Sequence, residues 1–181
     1  MSHDPDHLFV VTGAPGAGKT TLIDALERAG TARTVEAGRG VIQDQMAIDG
    51  PALPWRDPLA FAELMLGWEM RSYRVARGLA GPVLCDRGVL DVVGYLRLVG
   101  LPVPDHMERA ARRLRYNARV FVAPPWPAIF AQDTERKQTL AEAAESYQAV
   151  LATYGHYGYE LIALPRTSVA ERVQFVRATI G

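Results

Sequence analysis

One cysteine, Cys85, among 181 residues excludes a disulfide framework and predicts a reducing, cytoplasmic setting. Net charge is absent too. Lys+Arg and Asp+Glu number 20 each, so there is no overall basic field of the kind that tracks nucleic acid. No apolar run reaches the length of a membrane span. The N-terminal "MSHDPDHLFVV" has neither the positive region nor the long apolar core of a signal peptide. The four histidines show no ligand spacing. No N-K-x-D stretch occurs, so nothing in the chain signals guanine selection. The expectation is one soluble domain over residues 1–181, with 49% hydrophobic residues to build its core.

Five short runs rich in Val, Leu and Ile read as strands: Leu8–Thr12, Arg33–Glu36, Pro82–Asp86, Arg119–Ala123 and Tyr159–Leu164. Their continuous apolar character predicts burial on both faces, as in a parallel sheet. Helical spacing appears between them, over Thr20–Gly30, from Pro58 behind an Asp57 cap, and over Val89–Val99, Asp105–Tyr116, Gln138–Tyr154 and the tail after Val169. Strands alternating with helices predict a doubly wound α/β fold. The largest insertion, Ala47–Ala80, is expected to form a helical flap over one end of the sheet.

The stretch "GAPGAGKTT", Gly13 to Thr21, stands between the first strand and the first helix and fits G-x-x-x-x-G-K-[ST] at every fixed position. Small residues let backbone N–H groups converge on a phosphate, and the helix N-terminus adds aligned donors. Gly13, Ala14, Pro15, Gly16, Ala17, Gly18, Lys19, Thr20 and Thr21 are therefore the candidate nucleotide contacts. Lys19 is expected on the β/γ-phosphates and the Thr20 hydroxyl on Mg²⁺. ATP is the expected donor.

A second acidic residue, Asp86, ends the third strand in "GPVLCDRG" and is the second candidate for holding Mg²⁺. Arg87 follows it, where a water-activating ATPase would usually carry Glu. A guanidinium suits phosphate recognition, which favours phosphoryl transfer to a bound acceptor over hydrolysis. In "VEAGRG", Glu36 is the candidate base or orienting group for an acceptor hydroxyl, and Arg39 a candidate phosphate or acceptor contact. Asp91 is expected to face the same crevice. "DTERKQ" supplies Arg136 and Lys137 for a basic lid over residues 131–139, with Asp133 as a candidate helix cap. Pro165 to Val169 are expected beside the nucleotide base. Trp126 is a candidate for stacking in an acceptor pocket, although it and Trp55 read more simply as loop anchors.

Taken together, "FVVTGAPGAGKTTLIDAL", "VEAGRG", "LPWRDPLAF", "CDRGVLDVVGYLRLVGLPVP" and "YGYELIALP" resemble a bacterial P-loop family labelled as AAA-type ATPases. That family is similar to the ribosylnicotinamide kinase domain of NadR. The resemblance implies a three-layer nucleotide-kinase-like fold with a five-stranded parallel sheet in the order 2-3-1-4-5. It also implies catalytic roles for Lys19, Glu36, Asp86, Arg87 and Arg136. Nothing in the sequence supplies the helical domain or arginine finger of ring-forming ATPases.

The expected function is an ATP- and Mg²⁺-dependent phosphotransferase acting on a nucleoside-like small molecule. Two rivals remain: a nucleotide-dependent switch or slow ATPase with a protein partner, and a polynucleotide end kinase using the basic patch Arg109–Tyr116. The patch reads more simply as a solvated helix face, which makes nucleic acid an unlikely partner. Lys19→Ala should weaken ATP binding by about 1.5–3 kcal/mol, the worth of a charged hydrogen bond. Unchanged affinity in a titration would remove Lys19 from the phosphate site.

Overall fold

Alternation inside each strand, hidden in the sequence by continuous apolar character, sorts the core onto two faces. Leu8, Val10, Val83, Cys85, Val120 and Val122 pack in one cluster, and Phe9, Val11, Leu84, Phe121 and Ala123 in the other. A computed structural model describes residues 5–130 and 139–181. Its strands are β1 (Leu8–Gly13), β2 (Ala32–Arg33), β3 (Val83–Asp86), β4 (Arg119–Ala123) and β5 (Glu160–Ala163). The helices are α1 (Lys19–Arg28), α2 (Ala37–Ala47), α3 (Pro58–Arg77), α4 (Val89–Leu98), α5 (Asp105–Arg113), α6 (Leu140–His156) and α7 (Val169–Ile180).

All pairings are parallel, in the order β2-β3-β1-β4-β5. Helices α2 to α6 contribute to the first cluster, while α1 and α7 fill the second with Leu22, Ile23, Leu26 and Val176. The result is the three-layer α/β arrangement implied by the resemblance. The chain leaves β1 towards β3 and β2, then crosses to β4. The carboxyl ends of β1 and β3 thus open on the switch point where an α/β sheet binds its ligands.

Three helix starts follow from local chemistry. Asp57 caps α3 by accepting from the Ala60 N–H at 2.9 Å, with Pro58 at the first turn. Thr139 and Glu142 form a reciprocal capping box on α6, and Ser168 and Glu171 do so on α7. The α6 cap is therefore Thr139, whereas Asp133 had been the expectation; Asp133 itself, with Arg136, Lys137 and the rest of 131–138, lies outside the described residues.

Differences from the sequence reading cluster at the sheet edges. The second strand is only two residues long where Arg33–Glu36 had been expected, and Glu36 begins α2 instead. That helix escapes a propensity reading because Gly38 and Gly40 disfavour it. Packing retains Gly40: a Cβ there would come within 2.4 Å of the Trp68 ring. Strand β5 is partly exposed rather than buried on both faces, as its place at the edge of the sheet requires. Helix α5 stops at Arg113, and Tyr116, expected at its end, is buried beyond it. No helix among the described residues is long and apolar enough to cross a membrane.

Gly13 has φ +117° and lies opposite Ala123 in the β1–β4 ladder. A Cβ at this position would meet the Ala123 carbonyl oxygen at 2.3 Å. Gly13→Ala should therefore destabilise the fold by at least about 2 kcal/mol through backbone strain and overpacking, read from urea unfolding.

Candidate active site

The loop between β1 and α1 is held from behind by ordinary backbone bonding. Ala14 N–H donates to the Ala123 carbonyl at 2.9 Å, which takes that amide out of any cradle. Gly16 and Gly18 adopt φ of +68° and +73°, the left-handed region that glycine enters without cost. Lys19, 8% exposed, donates from Nζ to the Ala14 carbonyl at 2.5 Å and so crosses its own loop.

Residues Pro15 through Thr21 line one cavity of about 550 Å³, together with Glu36, Arg39, Trp126, Ile129, Phe130, Thr167, Ser168, Val169 and Arg172. Two expected nucleotide contacts, Gly13 and Ala14, stand behind this wall rather than in it. Trp126 lines this phosphate-loop cavity rather than a separate pocket. Arg39 also lines this cavity. Of the expected base wall, Thr167 to Val169 are present.

On the other side of Pro15 and Glu36 lies a second cavity of about 320 Å³. Helices α2, α3, α4 and α6 line it with Ile42, Phe61, Met65, Val92 and Val150, and its polar groups include Glu36, Glu69, Arg87, Asp91 and Glu142. Trp55 lies on its rim, 59% exposed, so it does not anchor its loop in the core.

Arg87 lines the second cavity and bonds Glu36, which lines both. Its φ of +68° costs a non-glycine residue about 1–2 kcal/mol, but it turns the side chain back across the strand tips. Nε lies 3.2 Å from Glu36 Oε1 and Nη1 lies 3.0 Å from Asp91 Oδ1. Nη1 also reaches Thr12 Oγ1 and the Gly13 carbonyl, each at 3.4 Å. Asp91 accepts in addition from the Thr12 hydroxyl, from Gly88 N–H at 3.0 Å and from the Tyr154 hydroxyl at 2.7 Å. With both oxygens engaged inside the protein, Asp91 holds Arg87 and Tyr154 in place rather than waiting for an acceptor.

Residues 8–172 match a family model described as an AAA domain. The chain belongs to that AAA domain family. Among curated proteins, none matches it. Solved structures that share the fold include deoxyadenosine kinase from M. mycoides with dCMP and dCDP, at 11% identity and TM-score 0.70, covering 96% of this chain and 98% of that one. NadR in complex with NR matches at 16% identity and TM-score 0.73, covering 97% of this chain and 51% of NadR. Thymidylate kinase from Ehrlichia chaffeensis matches at 12% identity and TM-score 0.63, covering 96% of this chain and 99% of that one. The architecture of this AAA domain is thus that of the P-loop nucleoside and nucleotide kinases.

Two residues of this AAA domain's cavities carry no motif. Arg172, on α7 and 2% exposed, donates from both Nη atoms to the Ala17 carbonyl at 3.3 Å and from Nη1 to Gly18 at 3.4 Å. Burial depresses its pKa, and no carboxylate among the described residues pairs with it. Glu69, on α3 and 4% exposed, is the other. Its signal was available: Met65, Glu69 and Tyr73 recur at i, i+4 on a buried stripe where an apolar residue belongs.

Charge is unevenly distributed around the corner. Burial opposes the charge on Arg87, but Glu36, Asp91 and Asp86 outweigh it and hold the guanidinium above its ordinary range. Asp86, 5% exposed, lines neither cavity. Burial pushes its pKa up to about 6, with Glu36 adding to the rise and Arg87 and Lys19 opposing it. Burial also pushes the Cys85 thiol up, as expected of an inert core residue.

An unfolded aspartate releases its proton near pH 4, so folding takes up a proton between about pH 4 and 6 and stability falls as pH rises through that window. Asp86→Asn removes this slope. Relative to that variant, the wild type should lose on the order of 2–3 kcal/mol across the window and change little above it. Urea titrations at a series of pH values check this; parallel curves for the two proteins would contradict it.

Proposed function

We propose that this AAA domain transfers a phosphoryl group from ATP to a hydroxyl of a nucleoside-like small molecule. The observation that carries this reading is the shared wall: a phosphate-loop cavity and a largely apolar cavity meet at Pro15 and Glu36, and Arg87 bonds Glu36 from within the second. Amides of Gly16 to Thr20 and Lys19 would bind the polyphosphate. Glu36, which lines both cavities, would orient the acceptor hydroxyl and take its proton. Arg87, fixed by Asp91, would meet the charge that develops on the transferring group, with Arg39 beside it. Arg136 is assigned the lid cation.

The donor set also fits a divalent ion carried by the substrate. Among the described residues no three carboxylate, imidazole or thiol groups gather as a protein cage. A buried Asp86 beside Glu36 instead leaves negative charge in excess, and a Mg²⁺ that keeps water and phosphate ligands would balance it. Thr20 and Asp86, the latter through water, would hold that ion, which when bound neutralises phosphate charge.

Turnover of ATP against a nucleoside panel tests the reading. One acceptor should raise ADP release at least about tenfold and appear as its monophosphate in equal amount by mass spectrometry. Arg87→Lys, which keeps the charge and loses the fork to Glu36 and Asp91, should lower kcat by roughly 10²-fold or more. A flat, low rate across the panel would support a nucleotide switch or slow ATPase instead.

A further inference from the structure

Phosphoryl transfer at the shared wall leaves one polar group of the 320 Å³ cavity, Glu69, unexplained. Glu69 lines it beside the apolar Ile42, Phe61, Met65, Val92 and Val150, in a cavity that Glu36, Arg87 and Asp91 also line. The carboxyl has no hydrogen-bond partner among the described residues. Tyr95, whose ring meets Phe61 edge-on at 5.3 Å in the same wall, has a buried hydroxyl that also lacks a partner. A buried polar group left unpaired costs about 1–3 kcal/mol, so a helix that needed only packing here would carry Leu or Met.

The groups facing Glu69 decide its form. Burial dominates, and Asp91 and Asp86 raise its pKa further; Arg87 pulls it down and Glu36 raises it, leaving it well above the carboxylate range. A protonated carboxyl presents an O–H donor beside a C=O acceptor in one plane. That pair matches a lactam or amidine edge, in which an N–H lies next to a carbonyl or a ring nitrogen. The apolar walls suit the faces of the ring that carries the edge.

We propose that Glu69 determines acceptor specificity, and that the cavity takes a neutral nucleoside whose base presents adjacent donor and acceptor atoms to this side chain. The proposal rests on the phosphotransferase reading, with the sugar directed towards Glu36 and Pro15. Glu69 touches the acceptor's base and not the reacting atoms, so its effect falls on binding and choice of substrate.

Calorimetric titration of adenosine, inosine, cytidine and uridine into the wild type, Glu69→Gln and Glu69→Leu tests it, with ATP titrated in parallel. At least one nucleoside should bind the wild type. Glu69→Leu should weaken it about tenfold or more, a single buried hydrogen-bonded pair, while Glu69→Gln, which keeps a donor and an acceptor, should stay within about threefold. Masking the edge, with 1-methylinosine for inosine or N6,N6-dimethyladenosine for adenosine, should weaken binding to the wild type far more than to Glu69→Leu. Three results would each overturn the proposal: no nucleoside bound, equal affinity in wild type and Glu69→Leu, or preference for a pyridinium riboside that Glu69→Gln abolishes. ATP affinity separates the two layers. If it is intact in the wild type and lost in Lys19→Ala, the phosphate site stands whatever the fate of Glu69; if Lys19→Ala binds ATP as well as the wild type, the underlying reading fails.

Discussion

A guanidinium removed from water needs anions on more than one side, and Arg87 finds them on different elements. Glu36 stands at the start of α2 and Asp91 in the first turn of α4, while Thr12 and Gly13 end β1. One side chain, 17% exposed, thus joins two helix starts and a strand tip that are distant in the chain. Desolvating any one of these charges alone would cost several kcal/mol, so the set is stable only as a set. The left-handed backbone at Arg87 is the local expense of that arrangement, and the Arg87 N–H bond to the Val11 carbonyl at 3.0 Å helps to fix it.

The corner divides the crevice into two electrostatic environments. On the donor side the loop amides, Lys19, Arg39 and Arg172 surround the larger cavity with donors and positive charge. On the other side Asp91 and Glu142, with Glu36 on the shared wall, line the cavity with a single arginine. In the proposed reaction this contrast would favour a polyphosphate in the first cavity and an uncharged partner in the second.

How much of this was legible depended on whether the signal was local. The phosphate loop was readable because its requirements are backbone requirements: small residues, a strand before and a helix after. Asp57, Pro58 and the apolar strand runs were readable for the same reason. Helix α2 was not, because Gly38 and Gly40 contradict local propensity and only the Trp68 ring pressed against Gly40 explains them. A second requirement on Gly13 was hidden for the same reason. The motif names it for the phosphate loop, and contact with Ala123, 110 positions away in the chain, adds a packing demand that no local pattern shows.

By itself the sequence determined the parallel α/β class, the phosphate loop and the identity of the acidic and basic residues at the strand tips, because hydrophobic period and turn chemistry act over a few neighbouring residues. Only the tertiary structure decided which of those residues meet. It put Glu36 on Arg87, turned Asp91 inward to Thr12 and Tyr154, set Trp126 in the phosphate-loop cavity, and left Glu69 facing a cavity without a hydrogen-bond partner among the described residues. The physical reason is that the charge and burial of a side chain depend on what packs against it from distant segments, and no spacing along one segment encodes that.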